Sequence, residues 1–213
     1  MSENGKNNPK SSEQKKNSIK YAIIHQNSDI IHIKDFFNSY FEKEKPNIIK
    51  NTDNCFEFSP VDENNNNNDN NNTKVFCFSV LTENDMNKIY DLYNYFNFFL
   101  IFIDIQSNDD LTYLEGIIDK LIDCSEDNTK KCYIFGFFNN ENKSINKDEQ
   151  ITNILNCKGI DYEYSEININ ANEEFPKGIE YIIVDSKEIM EEIEIQEINS
   201  KRNKNNAKSC QII

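Results

Sequence analysis

The sequence predicts an α/β domain of three layers, with a mainly parallel six-stranded sheet, one antiparallel edge strand and helices on both faces. Three observations predict it. From Lys20 onward, short apolar runs of strand length alternate with segments of helical spacing. Two of those runs, Phe98–Asp104 and Lys131–Phe138, are apolar on both faces, as central parallel strands are. Repeated strand–helix units joined by right-handed crossovers leave their strands parallel.

Taken in order, Lys20–Ile24 is an apolar run of strand length. Ile30–Glu44 has helical spacing, with Ile30, Ile33, Phe37 and Phe41 on one face and Pro46 just beyond as a stop. Phe56–Ser59 and Lys74–Val80 alternate like a hairpin pair around an Asn-rich tract. Thr82-Glu83-Asn84-Asp85 opens a second helix with Met86, Ile89 and Tyr93 inward, and Phe98–Asp104 follows as a strand. Asp109–Cys124 is a helix with Leu111, Leu114, Ile118, Leu121 and Ile122 inward. After the strand Lys131–Phe138, Lys147–Cys157 is helical, and Gly159 caps its end. Ile160–Ser165 reads as the last strand and Lys177–Ile198 as the last helix.

Residues 1–18 are polar and low in complexity, and the tract 63–72 is nearly all Asn. Neither can bury enough apolar surface to offset its ordering entropy, so the first reads as a disordered tail and the second as a tolerated loop insertion. One domain over 19–198 is expected between them and a basic tail at 199–213. No apolar N-terminal stretch reads as a signal peptide, and no apolar run approaches a membrane span. The net charge of −14 argues against nucleic acid as a partner. Six cysteines, two histidines and no CxxC spacing argue against a zinc site.

The tail carries the most specific signal. Cys210-Gln211-Ile212-Ile213 is a Cys-a-a-X box, which a protein prenyltransferase reads before attaching an isoprenoid to Cys210. Ahead of it stand Lys201, Arg202, Lys204 and Lys208, with no acid among them. One lipid holds a protein on a bilayer only marginally, and each cation near an anionic leaflet adds roughly 1 kcal/mol. The tail therefore predicts a lipid anchor on the cytoplasmic face of an endomembrane or the plasma membrane.

Several segments resemble the Ras/Rab-type small GTPases. Lys74-Val75-Phe76-Cys77-Phe78-Ser79 resembles that family's strand ending in Asp-x-x-Gly, with Ser79 in place of the Asp and Thr82 in place of the Gly. Tyr93-Asn94-Tyr95 and Phe99–Ile105 resemble a Rab's tyrosine pair and the apolar strand after it. Phe135-Gly136-Phe137-Phe138-Asn139-Asn140 stands in the slot of the guanine-reading Asn-Lys-x-Asp loop, and Tyr164–Asn168 in that of the Ser-Ala-Lys loop. The resemblance implies a small-GTPase-like domain from Lys20 onward and a role in vesicle trafficking or signalling, with an effector protein it does not identify.

The nucleotide motifs themselves are degraded. A phosphate loop needs glycines to close backbone N–H groups round the phosphates, and 25–34 contains none. Asp29 would repel phosphate, and Lys34 lies a helical turn too late and reads as a solvated helix face. Phe137 and Phe138 lack the amide and carboxylate that select guanine. Thr52 stands near the family's switch Thr and reads as an ordinary loop residue. His25 and His32 read as polar residues at the pocket mouth, and Glu188, Glu191, Glu192, Glu194 and Glu197 as a solvated helix face.

The expectation is a pseudo-GTPase adaptor with no catalytic, cofactor-binding or metal-binding residues and no bound GTP or Mg²⁺. The former pocket should be filled by Ile30, Ile31 and Ile33 against Phe137 or Phe138. The alternatives are a divergent GTP-hydrolysing switch and an unrelated three-layer α/β domain.

Overall fold

A computed structural model describes residues 18–26, 30–60, 74–125, 130–139, 147–171 and 174–209. Side chains are described within these ranges except at 30–31, 108, 147–148 and 203–209. Of the expected tail 1–18, residues 1–17 lie outside the described residues, as do the Asn tract 63–72 and Cys210, while Ser18 is the first residue of a strand.

The chain runs β1 (Ser18–His25), α1 (Ile30–Glu44), β2 (Asn47–Thr52), β3 (Cys55–Ser59), β4 (Val75–Val80), α2 (Glu83–Met86) and α3 (Ile89–Leu92). It continues through a 3₁₀ turn at Tyr93–Tyr95 to β5 (Phe98–Asp104), α4 (Asn108–Cys124), β6 (Cys132–Phe138), α5 (Lys147–Lys158), β7 (Tyr162–Asn168) and α6 (Glu174–Ser209). One mixed sheet has the order β2-β3-β4-β1-β5-β6-β7. β4, β1, β5, β6 and β7 are parallel, and β2 and β3 are antiparallel to their neighbours.

The sheet therefore differs from the expected six strands with one antiparallel edge. The additional strand is β2, which among the described residues pairs with β3 alone and is interrupted by a bulge between Ile48 and Lys50. All six of its residues are exposed, so it carries no alternation of buried and exposed positions for sequence to display. The second expected helix is broken into α2 and α3 at Asn87–Lys88, and the last helix extends past 198 to Ser209.

Side chains on the central strands alternate between two buried layers. Tyr21, Ile23, Phe98, Leu100, Phe102, Tyr133, Phe135 and Phe137 face α1 and α6. Ala22, Ile24, Phe99, Ile101, Ile103, Cys132 and Ile134 face α2 to α5. The first layer is a slab of rings, in which Tyr21 stacks on Phe78 at 4.2 Å and Phe37 on Phe56 at 4.1 Å. Aromatic pairs add about 0.5–1.5 kcal/mol each beyond the area they bury, which suits a chain without Trp.

Polar staples hold α6 to the sheet. The Ser186 hydroxyl donates to the Ile182 carbonyl at 2.6 Å and accepts from the buried Tyr21 hydroxyl. The Asp185 carboxylate accepts from Tyr133 Oη at 2.6 Å and from Lys131 Nζ at 2.8 Å. Two glycines are placed by sterics. Gly159, at φ 68°, ends α5 in the left-handed conformation, as its sequence position predicts. A Cβ on Gly136 would lie 2.5 Å from Ile105 Cγ2 and 2.7 Å from the Tyr164 hydroxyl.

Candidate functional site

In open α/β sheets, ligands bind beyond the carboxyl ends of the strands, where crossovers leave to opposite faces. Here that edge is formed by His25–Gln26, Val80–Thr82, Asp104–Ser107, Phe137–Asn139 and Asn168–Ala171. Helix α1 leaves β1 toward one face, and α2 leaves the adjacent β4 toward the other.

An anion site on such an edge needs inward backbone N–H donors. On this chain, donors along the rim are bonded to the chain itself. The amide of Asp104 donates to the Asp110 carboxylate at 2.5 Å, that of Gln106 to Asp104 Oδ1 at 2.8 Å and that of Asn168 to Glu174 Oε2 at 2.8 Å. The amides of Ile105 and Ile169 donate to the Phe137 and Phe138 carbonyls at 3.1 and 3.0 Å. Gln106 Nε2 and Asn170 Nδ2 reach Asn139 O and Oδ1, tying the loops after β5, β6 and β7 together. Acidic side chains thus occupy places where an anionic ligand would compete, at the cost of charge repulsion.

The residues singled out in the sequence fall as follows. Lys34 pairs with Asp53 at 2.6 Å on an exposed surface. The Thr52 hydroxyl donates to the Cys55 carbonyl within the β2–β3 turn. Ser79 is half-buried in β4 beside Ala22. Thr82 caps α2: its hydroxyl accepts from the Asp85 amide while Asp85 accepts from the Thr82 amide at 2.9 Å. The Thr82 backbone and hydroxyl hydrogen bonds hold the Asp85 carboxyl below its usual range.

The aromatic pair divides between layers. Phe137 is buried in the α1/α6 layer that also holds Ile33, with its ring 5.5 Å from that of His32. Phe138 is half-buried against the opposite layer. The side chains of Ile30 and Ile31, and residue Asp29, lie outside the described residues. His25 Nδ1 lies 2.5 Å from the Gln26 carbonyl.

Two clefts adjoin this edge. One of about 480 Å³ lies between the ends of β1 and β4 and helices α2 and α4. Its floor is Val80, Leu81, Met86 and Ile117, and its rim includes His25, Asn54, Tyr113 and Lys120. The Tyr113 hydroxyl donates to the His25 carbonyl at 2.8 Å across it. A second, of about 880 Å³, separates α1 from the start of α6 and is lined by Asp35, Asn38, Glu42, Phe175 and Lys177 among others. The first has an apolar floor under a polar rim, and the second is lined mostly by polar and charged side chains. Among the described residues, no group of three or more His, Cys, Asp or Glu is placed to hold a metal ion.

In the tail, Lys201 and Arg202 are exposed on α6, with Lys201 paired to Glu197 at 3.2 Å. Lys204 and Lys208 belong to the same helix by backbone. No described helix is long and apolar enough to cross a membrane. No protein-family model matches the chain, and no curated protein matches it. Sequence reasoning did not find the rim carboxylates Asp110 and Glu174, because single acids in loop and helix-start positions carry no pattern of their own.

Proposed function

We propose that this protein is a Ras/Rab-like pseudo-GTPase, a nucleotide-independent adaptor held at a cytoplasmic membrane surface by a lipid on Cys210. The observation that carries the reading is the rim: backbone donors after β5 and β7 are bonded to the chain's own Asp110, Asp104 and Glu174 carboxylates. An anionic ligand seated on these loops would have to displace or approach those carboxylates. Burial of Ile33 and Phe137 in one layer adds apolar side chains where the resemblance puts the nucleotide. The sheet supports the same reading, because without β2 six strands remain with β3 as the one antiparallel member.

The adaptor presents fixed surfaces, and its two clefts are the candidate contact sites for an effector. Thermal unfolding of the purified chain with and without millimolar GTP, GDP and Mg²⁺ tests the reading. A ligand at about one hundred times its Kd stabilises by roughly 2.7 kcal/mol. An unchanged melting temperature is expected. A rise of several degrees overturns the reading in favour of a divergent GTP-hydrolysing switch.

A further inference from the structure

Helix α6 carries two opposed stripes. Phe175, Ile179, Ile182 and Ser186 face the sheet, and Ile189 continues that stripe half-buried. On the far side, Tyr181, Val184, Glu188, Glu191, Ile195, Ile198 and Arg202 follow one another at spacings of three and four residues. That alternation is the a/d repeat of a helix pair, averaging about 3.5 residues. Every member of the stripe is exposed: Tyr181 45%, Val184 56%, Ile195 58% and Ile198 49% among the apolar ones. Of the large apolar side chains exposed on α6, Ile193 alone falls on the sheet-facing stripe instead.

The charges on this stripe select both the partner and the direction. Glu188 and Glu191 precede the two isoleucines and Arg202 follows them. A parallel pair of α6 helices would stack Glu191 on Glu191 and Arg202 on Arg202. An antiparallel pair centred between Ile195 and Ile198 sets each Ile195 against the Ile198 of the other copy, and each Glu191 against its Arg202. Opposite charges then flank a four-isoleucine centre at both ends. Among the described residues, Glu191 has one ion-pair partner in its own chain, the buried Lys74 Nζ at 3.7 Å, beyond hydrogen-bond distance, and the glutamate side chain itself is exposed.

We propose that the outer face of α6 is a self-association surface, on which two copies of this chain pair antiparallel through Ile195 and Ile198 with Glu191–Arg202 clasps. The exposed Val184 and Tyr181 leave the body's own stretch of α6 open to the end of the partner helix. The seam spans few side chains, so association is reversible, at roughly micromolar Kd or weaker. This goes beyond the adaptor reading and does not depend on the lipid or on nucleotide.

Sedimentation of the full, unlipidated chain from roughly 1 to 100 μM should show a monomer–dimer equilibrium. Ile195→Ser with Ile198→Ser should leave the chain monomeric with unchanged circular dichroism, because both positions are exposed. Glu191→Arg alone and Arg202→Glu alone should each weaken association about tenfold, since each puts two like-charge contacts into the pair. Mixing those two variants should restore it, because the mixed antiparallel pair regains both opposite-charge contacts; the single reversals distinguish the directions, since in a parallel pair each would leave the two like-charge contacts it started with. A parent chain that stays monomeric at the highest concentration overturns the proposal. So does a dimer indifferent to the charge reversals, or one that mixing fails to rescue. Monomeric protein whose binding to phosphatidylserine vesicles falls in the Ile195→Ser, Ile198→Ser variant would assign the stripe to a membrane surface instead.

Discussion

Replacing Phe137 by Ala tests the filled-pocket reading most directly. Its ring is 2% exposed and lies 5.4 Å from Phe102, 5.5 Å from His32 and 6.1 Å from Phe175. These contacts join β5, α1 and the start of α6, so truncation opens a hole bounded by three elements rather than a surface notch. Lost transfer and cavity terms together come to about 3–5 kcal/mol for a buried Phe. Against a total stability of about 5–15 kcal/mol, that is a large share. At about 2–4 °C per kcal/mol for a domain of this size, the melting temperature should drop by roughly 6–20 °C. Phe138, half-buried one residue on, should cost about 1–2 kcal/mol when truncated. Urea unfolding followed by circular dichroism measures both. A Phe137→Ala variant within about 1 kcal/mol of the parent, or one less affected than Phe138→Ala, would refute the assignment of Phe137 to the packed layer.

Further outcomes follow from other parts of the molecule. Cys210→Ser should move the protein from membranes to the cytosol, and neutralising Lys201, Arg202, Lys204 and Lys208 should make attachment weaker and more salt-sensitive, as fractionation will show. Burial, and secondarily the charge of Asp161, pushes the Cys132 thiol from 9.0 up to about 12. The unfolded thiol ionises near pH 9 while the folded one keeps its proton. That contribution to stability is therefore intact below pH 9 and erodes by about 1.4 kcal/mol per pH unit as pH rises toward 12, which alkaline urea titrations can follow. At neutral pH, iodoacetamide should modify the exposed Cys157 long before Cys132, read by peptide mass spectrometry. Lys34→Ala should change stability by no more than about 1 kcal/mol, because its ion pair with Asp53 is exposed.

What was legible in the sequence tracks how much each segment buries. The strands β5 and β6 are apolar on both faces because both are covered, and their boundaries fall within a residue of expectation. The Thr82–Asp85 capping box was equally plain, since its signal is local chemistry. β2 escaped because an edge strand with six exposed residues has no buried partner to impose alternation, and Pro46 before it reads only as a helix stop. The end of α6 escaped for a related reason: burial stops near Met190, yet no Gly or Pro follows to break the helix. At the candidate site, the absence of glycine from 25–34 and of amide or carboxylate side chains at Phe137 and Phe138 was readable residue by residue. The carboxylates that take over the rim amides were not, because Asp110 and Glu174 sit in the first turns of α4 and α6 and each reaches back six residues to the end of the preceding strand, a local contact with no recurring spacing to mark it.

The bulged strand β2 has a consequence for how the sheet fails. Among the described residues it pairs with β3 alone and buries none of its own side chains, so its release uncovers no core and should cost little. Release does uncover the outer edge of β3, whose Phe56 and Phe58 are buried in the aromatic layer and anchor that strand. A rigid, unpaired strand edge is a template for another chain. Amide exchange should therefore find β2 opening far ahead of β1, β4 and β5, and the first aggregates on mild heating should form from molecules whose six remaining strands are still native.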